Sequence, residues 1–500
     1  MNDQSYFDVI IIGAGITGIA VARELARYDR TVAVLDKAVE AASGTTKANG
    51  GVVHSGYHAR PGSLMAELNV RGNVLYRTLC RELEVELHET GSLMVALAGE
   101  DTGVLEHYRE QGRQNGVPGM ELVGRTRLLA LEPNLSTAAA AGLYSPTTAM
   151  VSPYEFALAL AENAAANGVR FFFEAEVLGF ALQGGRIEGV RTTRGDFRCS
   201  FLVNAAGIRA DELAAMAGDD SFRIHPRKGE LLALDRKLGW LVRRVIYPMP
   251  TPASKGILIV PAVEGNTVLA STAEDIEDKT DLRTTAAGRE ELLVSGGRLV
   301  PAAMAPRQVI AQFAGLRAVA GGDDFIIRPS AVVEGLIHAA GIQSPGLASA
   351  PAVAEKVAGL LRQAGLELRA RPDFNPARRA MTRIMHMNRD QFAAKIREDT
   401  RYGNVVCRCE RVSEAEVIEA IRRPVGACTL DGIKRRTRAQ TGRCQGSYCT
   451  CRLMEILARE LDLPFEQVTK DGAGSEMVAG PTKAGYTSRV EACAKGSRSG

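Results

Sequence analysis

The chain holds no run of about 18 consecutive apolar residues, so nothing in it reads as a membrane-spanning helix. No positively charged leader with an apolar core precedes the first apolar segment, and the expected address is therefore cytoplasmic. Charge of one sign is also missing. Lys+Arg 61 against Asp+Glu 58 leaves only +3, and no long basic block with interleaved aromatics occurs. Nucleic acid and anionic membranes are thus not implied partners. Aromatics are sparse at 5%, with one Trp, yet 46% apolar and 24% charged residues exclude long disorder and fibrous repeats for most of the chain. Five hundred residues exceed one ordinary core, so several folding units are expected.

The first informative segment lies near the N-terminus. Val9-Ile10-Ile11-Ile12 is a continuous apolar run, as expected of a parallel strand buried on both faces, and Gly13-Ala14-Gly15-Ile16-Thr17-Gly18 opens a helical pattern that runs to Tyr28. A second strand, residues 31–35, ends at Asp36, 18 positions past Gly18. This order is the dinucleotide fingerprint. The first glycine allows the tight turn, the second lets a pyrophosphate reach the backbone, and the third lets helix and strand pack closely. The phosphates would sit on free amides at a helix N-terminus, with the Asp36 carboxylate on a ribose.

The fingerprint alone leaves NAD and FAD open. Residues 43–56 (SGTTKANGGVVHSG) resemble the loop by which flavoproteins of the D-amino-acid-oxidase superfamily lay backbone along FAD. Two further segments agree: 201–207 (FLVNAAG) reads as a buried strand ending at a glycine, and 335–347 (GLIHAAGIQSPGL) as a strand turning into an apolar helix. Each alone is also ordinary strand-to-helix punctuation. Their order along the chain points to FAD, with cofactor-binding candidates Gly13, Ala14, Gly15, Ile16, Thr17, Gly18, Asp36, Lys37, Thr45, Asn49, Gly50, Gly51, Val177, Ala206, Gly207, Gly341, Ile342, Gln343, Ser344, Gly346 and Leu347.

Six of nine cysteines (Cys407, Cys409, Cys428, Cys444, Cys449, Cys451) fall within 45 positions. In a reducing compartment that pattern reads as metal ligation before disulfides. Cys407-x-Cys409 and Cys444-x4-Cys449 could hold a [2Fe–2S] cluster or a structural zinc, and their unequal gaps tilt toward iron–sulfur. Cys451 competes with Cys449 as the fourth ligand, while Cys80, Cys199, Cys428 and Cys493 read as ordinary thiols. Between the pairs, Ser413 and Glu416 form a capping box before a helix over 414–421, and a second helical stretch covers 430–440. Lys434, Arg435, Arg436, Arg438 and Arg443 are a solvated face, charge compensation for an anionic cluster, or a dock for an acidic partner.

With these residues in view, the chain resembles the FAD-dependent A subunit of anaerobic glycerol-3-phosphate dehydrogenase and its homologues. The resemblance covers about residues 7–460, through VVHSG (52–56), VNAAG (203–207), GIQSPGL (341–347), VCRCERVS (406–413) and RRTRAQTGRCQGSYCTCR (435–452). It implies a Rossmann-like α/β FAD-binding domain, an antiparallel-sheet substrate domain and a small helical C-terminal [2Fe–2S] domain like bacterioferritin-associated ferredoxin. It also implies ligands at Cys407, Cys409, Cys444 and Cys449, and companion flavin or iron–sulfur subunits, with any membrane association through such a partner. Residues 50–73 are similar as well to L-2-hydroxyglutarate dehydrogenase, so a polyol phosphate and a 2-hydroxy acid stand as alternative substrates.

Both substrates need a base for a hydroxyl proton and a cation for an anionic group. His54 and His58 are the base candidates, and Arg317 matches the arginine that binds substrate carboxylate in the oxidase superfamily; Arg60, Lys228, Lys255 and Tyr247 are weaker candidates. The expected division is 1–80, 150–215 and 332–365 for FAD, 81–149 and 216–331 for substrate, 366–403 as a connector, 404–465 for the cluster and 466–500 as a mobile tail. A two-electron flavin joined to a one-electron cluster argues for a dehydrogenase with a protein or quinone acceptor. An amine or opine dehydrogenase, a non-catalytic redox module, and a zinc-bound assembly module are the competing expectations.

Overall fold

Val9, Ile10, Ile11 and Ile12 are all buried, as the centre of a parallel sheet covered on both faces requires. They belong to the strand Tyr6–Ile12, which pairs in parallel with Val32–Leu35 on one side and Gly195–Asn204 on the other. The structure is a computed structural model that describes residues 6–250 and 255–480. The chain forms two compact units, residues 1–380 and 381–500.

In the first unit an eight-stranded mixed sheet runs Val177–Gln183, Arg186–Thr192, Gly195–Asn204, Tyr6–Ile12, Val32–Leu35 and Arg170–Phe172. Leu336–Ala340 lies parallel to Gly195–Asn204, and Ile326–Pro329 is antiparallel beyond it. The helix Ile16–Leu25 packs against Pro153–Ala166 and Gly346–Gln363, and its alanine-rich face allows close approach. A second sheet of nine strands is built on one long antiparallel pair, Ile224–Leu234 with Val309–Ala320, which opposes Arg227 to Arg317 and Gly229 to Gly315. Tyr247 sits on Val245–Pro248, parallel to Ser92–Leu97. A three-stranded sheet of Val52–Val53, Ala149–Val151 and Leu87–His88 ends beside His54.

The stretch expected as a connector is not one. Residues up to 380 fold back onto the first unit: Arg378 Nε donates to Glu162 Oε2 at 2.7 Å, and Asn163 Nδ2 donates to Asn375 O at 3.0 Å. Beyond that point Ile384 is buried in the second unit, its amide donating to Glu416 Oε1 at 3.2 Å, and Arg389–Glu398 is helical behind an Asn388–Gln391 capping box. Prolines 372 and 376 mark an extended segment whose carbonyls are used as acceptors, which composition alone reads as linker.

The second unit packs the helices Glu414–Arg422, Leu430–Thr437 and Thr450–Leu461 around Val417, Ile418, Ile433, Leu453, Ile456 and Leu457. The tail expected from 466 onward contributes to this core: Val468 is buried, and the amides of Leu430 and Asp431 donate to Thr469 O and Lys470 O. The rest of that expected tail, 481–500 with Cys493, lies outside the described residues. Ser413 accepts from the Glu416 amide at 3.3 Å while the Glu416 carboxylate accepts from the Ser413 amide at 2.8 Å, so the expected capping box is present. Ser413→Ala is expected to cost about 1–2 kcal/mol, since this cap is buried. Thermal unfolding followed at the C-terminal unit measures it, and an unchanged midpoint would deny the box its role.

Candidate functional site

At Gly13 and Gly18 only glycine fits. A Cβ on Gly13 (φ +109°) would lie 2.4 Å from Ala205 O, and one on Gly18 would lie 1.9 Å from Gly13 O. Asp36 Oδ2 accepts from the Ala14 amide at 2.6 Å and Thr46 Oγ1 from the Ile16 amide at 2.9 Å. Among the described residues the amides of Gly15, Thr17 and Gly18 have no protein acceptor, and the helix carries no side-chain cap. Free amides on a helix N-terminus are the donor set a pyrophosphate needs. Burial raises the Asp36 carboxyl above its ordinary range against the amides of Ala38 and Ala14, which fix it in place. Lys37 beside it is exposed.

The other cofactor candidates line up around this loop. Asn49 Oδ1 accepts from Gly51 N at 2.8 Å and Thr45 Oγ1 donates to Leu316 O at 2.8 Å, so residues 45–51 lie along the strand Val309–Ala320. There a Cβ on Gly315 would meet Ala48 O at 2.6 Å, while one on Gly50 would only touch Ala270. Val177 opens its strand as a buried residue. Asn204 Oδ1 accepts from the Ala206 amide at 3.3 Å, and a Cβ on Gly207 (φ +58°) would meet open space. Gly341 (φ +65°) turns the chain, Gln343 N donates to Gly341 O at 3.0 Å, and residues 341–345 lead into Gly346–Gln363. At that helix start the amides of Leu347 and Ala348 have no protein acceptor among the described hydrogen bonds, and neither do those of Ile342 and Ser344. These free donors and the glycine cradle fit FAD.

On the substrate side the structure brings together five of the residues named from sequence. His54 Nδ1 lies 2.8 Å from Tyr247 Oη, and Asn69 and Asn73 donate to His54 O at 2.7 and 3.1 Å. His58 packs its ring 4.0 Å from Tyr57 and 4.8 Å from Tyr247. Burial, then the Lys255 charge, holds both imidazoles well below the ordinary range, so both are neutral at pH 7. Burial and then the Arg317 guanidinium lower Lys255 to about 8, and burial with Arg227 lowers Arg317 to about 10. Arg317 Nη2 donates to Ser271 Oγ and to Thr272 O, while its buried Nη1 has no protein partner among the described residues. Two half-buried cations near a neutral imidazole could hold an anion beside a base.

Two candidates fall away. Lys228 is buried and neutralised by Asp281 at 3.3 Å and Glu274 at 3.4 Å, and Arg60 is exposed at a turn. Sequence reasoning missed Asn69, Asn73, Ser271 and Thr272, polar residues whose partners lie far along the chain. It also missed the buried chain of Asp219, His338 and Asn204, in which His338 Nε2 lies 3.0 Å from Asp219 Oδ2 and Asn204 Nδ2 lies 3.4 Å from His338 Nδ1.

In the second unit the expected ligands form two thiol pairs. Cys409 Sγ lies 3.2 Å from Cys444 Sγ, and Cys449 is the neighbour that most lowers the Cys407 thiol. Cys407 and Cys449 are buried, Cys444 is half-buried and Cys409 is exposed. Cys451 is exposed on the helix Thr450–Leu461, apart from these contacts. Two pairs of thiols supply the four thiolates that a two-iron cluster takes. Most of the basic run is not a solvated face, though Arg443 is exposed. Arg435, Arg436 and Arg438 are buried, Arg436 donating to Gly432 O and Val425 O, and Arg438 pairing with Glu410 at 2.9 Å.

Comparison with known proteins matches both units. Residues 8–360 match the family model "FAD dependent oxidoreductase", and residues 405–459 match "BFD-like [2Fe-2S] binding domain". The chain is 41% identical over 479 residues to a glycerol 3-phosphate dehydrogenase of Caloramator mitchellensis, covering 95% of this chain and 99% of the relative. It is 31% identical over 285 residues to human mitochondrial L-2-hydroxyglutarate dehydrogenase, covering 54% of this chain and 61% of the relative. Among solved structures it resembles reduced L-alpha-glycerophosphate oxidase of Mycoplasma pneumoniae with FAD bound, with TM-score 0.70, 27% identity, and coverage of 74% of this chain and 98% of that one.

Fold, cradle and thiol pairs thus define an oxidoreductase that acts on the CH–OH group of a small hydroxy compound and uses FAD and a [2Fe–2S] cluster. The chain belongs to the FAD dependent oxidoreductase family, with a BFD-like [2Fe–2S] module at its C-terminal end. Among the described residues no helix is long and apolar enough to cross a membrane.

Proposed function

We propose that the chain is a glycerol 3-phosphate dehydrogenase that passes electrons through its C-terminal cluster to a partner protein. The observation that carries this is Lys255 set near Arg317, whose guanidinium charge lowers the lysine's affinity for a proton, beside one imidazole that feels the lysine charge. A phosphate dianion satisfies both at one point, whereas the two carboxylates of a 2-hydroxy diacid are spread along its chain. The relative that spans nearly the whole chain, cluster module included, carries the same activity in its name, while the hydroxyglutarate relative spans half of it.

FAD supplies the hydride acceptor and the cluster a one-electron outlet. The rest is the work of this chain. Arg317 and Lys255 hold the phosphate, and Arg317 is kept rigid by Ser271 and Thr272. His54 takes the proton of the secondary hydroxyl on Nε2, provided that Nδ1 carries the hydrogen and donates it to Tyr247 Oη. His58, wedged between aromatic rings, positions Tyr247. Cys407, Cys409, Cys444 and Cys449 hold the cluster, and Gly13 to Gly18, the 45–51 loop and the 341–347 turn hold FAD. The acceptor is a companion flavin or iron–sulfur subunit, through which any membrane association runs.

The pH profile tests the anion site. Lys255 binds the dianion only when charged, so kcat/KM is full below about 8 and falls about tenfold per pH unit above it. His54, held well below its ordinary range, stays a base throughout. The acid limb therefore follows the substrate's own second phosphate ionisation near about 6. Lys255→Met should lower kcat/KM and abolish the alkaline limb near 8; a limb that persists in that variant would remove Lys255 from the site. Anaerobic bleaching of flavin and cluster by glycerol 3-phosphate, and not by L-2-hydroxyglutarate, is the direct test of the substrate.

A further inference from the structure

A guanidinium has two edges on which it can grip an anion with a pair of parallel hydrogen bonds: the end edge, Nη1 with Nη2, and the side edge, Nε with Nη2. Nη2 belongs to both. In Arg317 that nitrogen donates to Ser271 Oγ and, at 3.1 Å, to Thr272 O, so two protein acceptors already meet its two hydrogens. Nη1, buried and without a protein partner among the described residues, is left open.

The arrangement is fixed from two sides. Thr272 is pinned to the strand Ile224–Leu234: its amide donates to Glu230 O at 3.2 Å, and its Oγ1 accepts from the Glu230 amide at 2.9 Å. The same strand places Gly229 against the guanidinium, where a Cβ would lie 2.7 Å from Nη2 and 3.0 Å from Cζ and Nη1. A guanidinium seated in the gap left by that missing side chain, and bonded to an immobile carbonyl, has little freedom to turn Nη2 toward a ligand.

This geometry separates anions by shape. A carboxylate has one charge and two oxygens in a plane, and its strongest contact with arginine is the two-point grip. A phosphate dianion has three oxygens on a tetrahedral face, so it can take one nitrogen of Arg317 and the point charge of Lys255 on different oxygens.

We propose that Ser271 is a specificity-determining residue: with Thr272 O it occupies Arg317 Nη2, denies a carboxylate the two-point grip and leaves Nη1 for a phosphate oxygen. The inference rests on the reading that Arg317 and Lys255 hold the substrate's anionic group, and it deepens that reading. The site selects phosphate by withholding a donor as well as by supplying charge.

The test compares Ser271→Ala, Ser271→Thr and Gly229→Ala in the full chain loaded with FAD and cluster. Affinities for the two ketone products, dihydroxyacetone phosphate and 2-oxoglutarate, are read without turnover from the perturbation of the oxidised flavin spectrum. Ser271→Ala should bind 2-oxoglutarate about tenfold more tightly, because an Nη2 hydrogen is released, and dihydroxyacetone phosphate about threefold more weakly, because Arg317 is held less firmly. Anaerobic flavin bleaching by L-2-hydroxyglutarate and by glycerol 3-phosphate should shift in the same opposite senses. Ser271→Thr keeps the hydroxyl and should return the ratio of the two affinities to that of the unaltered chain. Gly229→Ala displaces the whole guanidinium and should weaken both products alike, by at least about tenfold. A serine with a structural role alone would lower both affinities together when replaced by alanine; that result, or a 2-oxoglutarate affinity that fails to rise, would overturn the proposal. If L-2-hydroxyglutarate, and not glycerol 3-phosphate, reduces the flavin of the unaltered chain, the substrate reading fails, while opposite shifts in the two affinities keep the block at Nη2 standing.

Discussion

His54→Gln is expected to lower kcat/KM for glycerol 3-phosphate by about 10²- to 10⁴-fold, with FAD and cluster spectra intact. Glutamine can still bond to Tyr247, and the carbonyl at position 54 still accepts from Asn69 and Asn73, so the local fold is kept while the base is lost. Because the imidazole binds no phosphate in this arrangement, the loss should fall on the rate of flavin bleaching in a single turnover and leave apparent substrate affinity nearly unchanged. Tyr247→Phe makes a graded control. It removes the group that selects the Nδ1–H tautomer while leaving the ring stack with His58, and about a tenfold loss is expected from a misassigned tautomer population. His58→Gln keeps the base but loosens its support, and should cost less than His54→Gln. A collapse in His58→Gln beside a near-normal His54→Gln would exchange their roles.

The features legible in the sequence were those fixed by local geometry. Gly13 and Gly18 were readable because the turn has no room for Cβ, and Ser413 with Glu416 because a capping box is a four-residue device. The paired cysteines were readable because ligand spacing is itself the signal. What escaped was set by distance along the chain. Tyr247 lies 193 positions from His54, and Ser271 lies 46 from Arg317, so neither contact has a spacing to recognise. Charge misled in both directions. Lys228 was placed on the substrate side, yet its strand turns it onto Asp281 and Glu274. The arginines at 435, 436 and 438 look solvated in a list of residues, but a guanidinium can be buried when carbonyls and a carboxylate take its donors. The start of the expected tail, around Val468, differed for a related reason: one buried valine and a pair of backbone hydrogen bonds outweigh a polar composition.

Cys449→Ser should abolish the cluster, taking iron and acid-labile sulfide from two each per chain to near zero, whereas Cys451→Ser should leave both unchanged. Cys449 is buried at the head of the helix Thr450–Leu461, beside the buried Cys407 thiol that it influences most. A serine there offers a hydroxyl far harder to ionise than a thiol, so one iron loses a thiolate that no neighbour replaces. Cys451 is only two residues on, but the helical turn carries it to the solvent face, away from both pairs. The flavin cradle lies wholly within the first unit, so glycerol 3-phosphate should still bleach the flavin of Cys449→Ser while reduction of a protein acceptor is lost. That split, flavin reduction retained and onward transfer gone, is what separates an electron outlet from a structural prop: a prop would melt and take flavin binding with it, and an idle ornament would leave acceptor reduction untouched. If Cys451→Ser were instead the variant that lost its iron, the exposed thiol would be the ligand, and the helix head would have to rotate from the position described here to bring it inward.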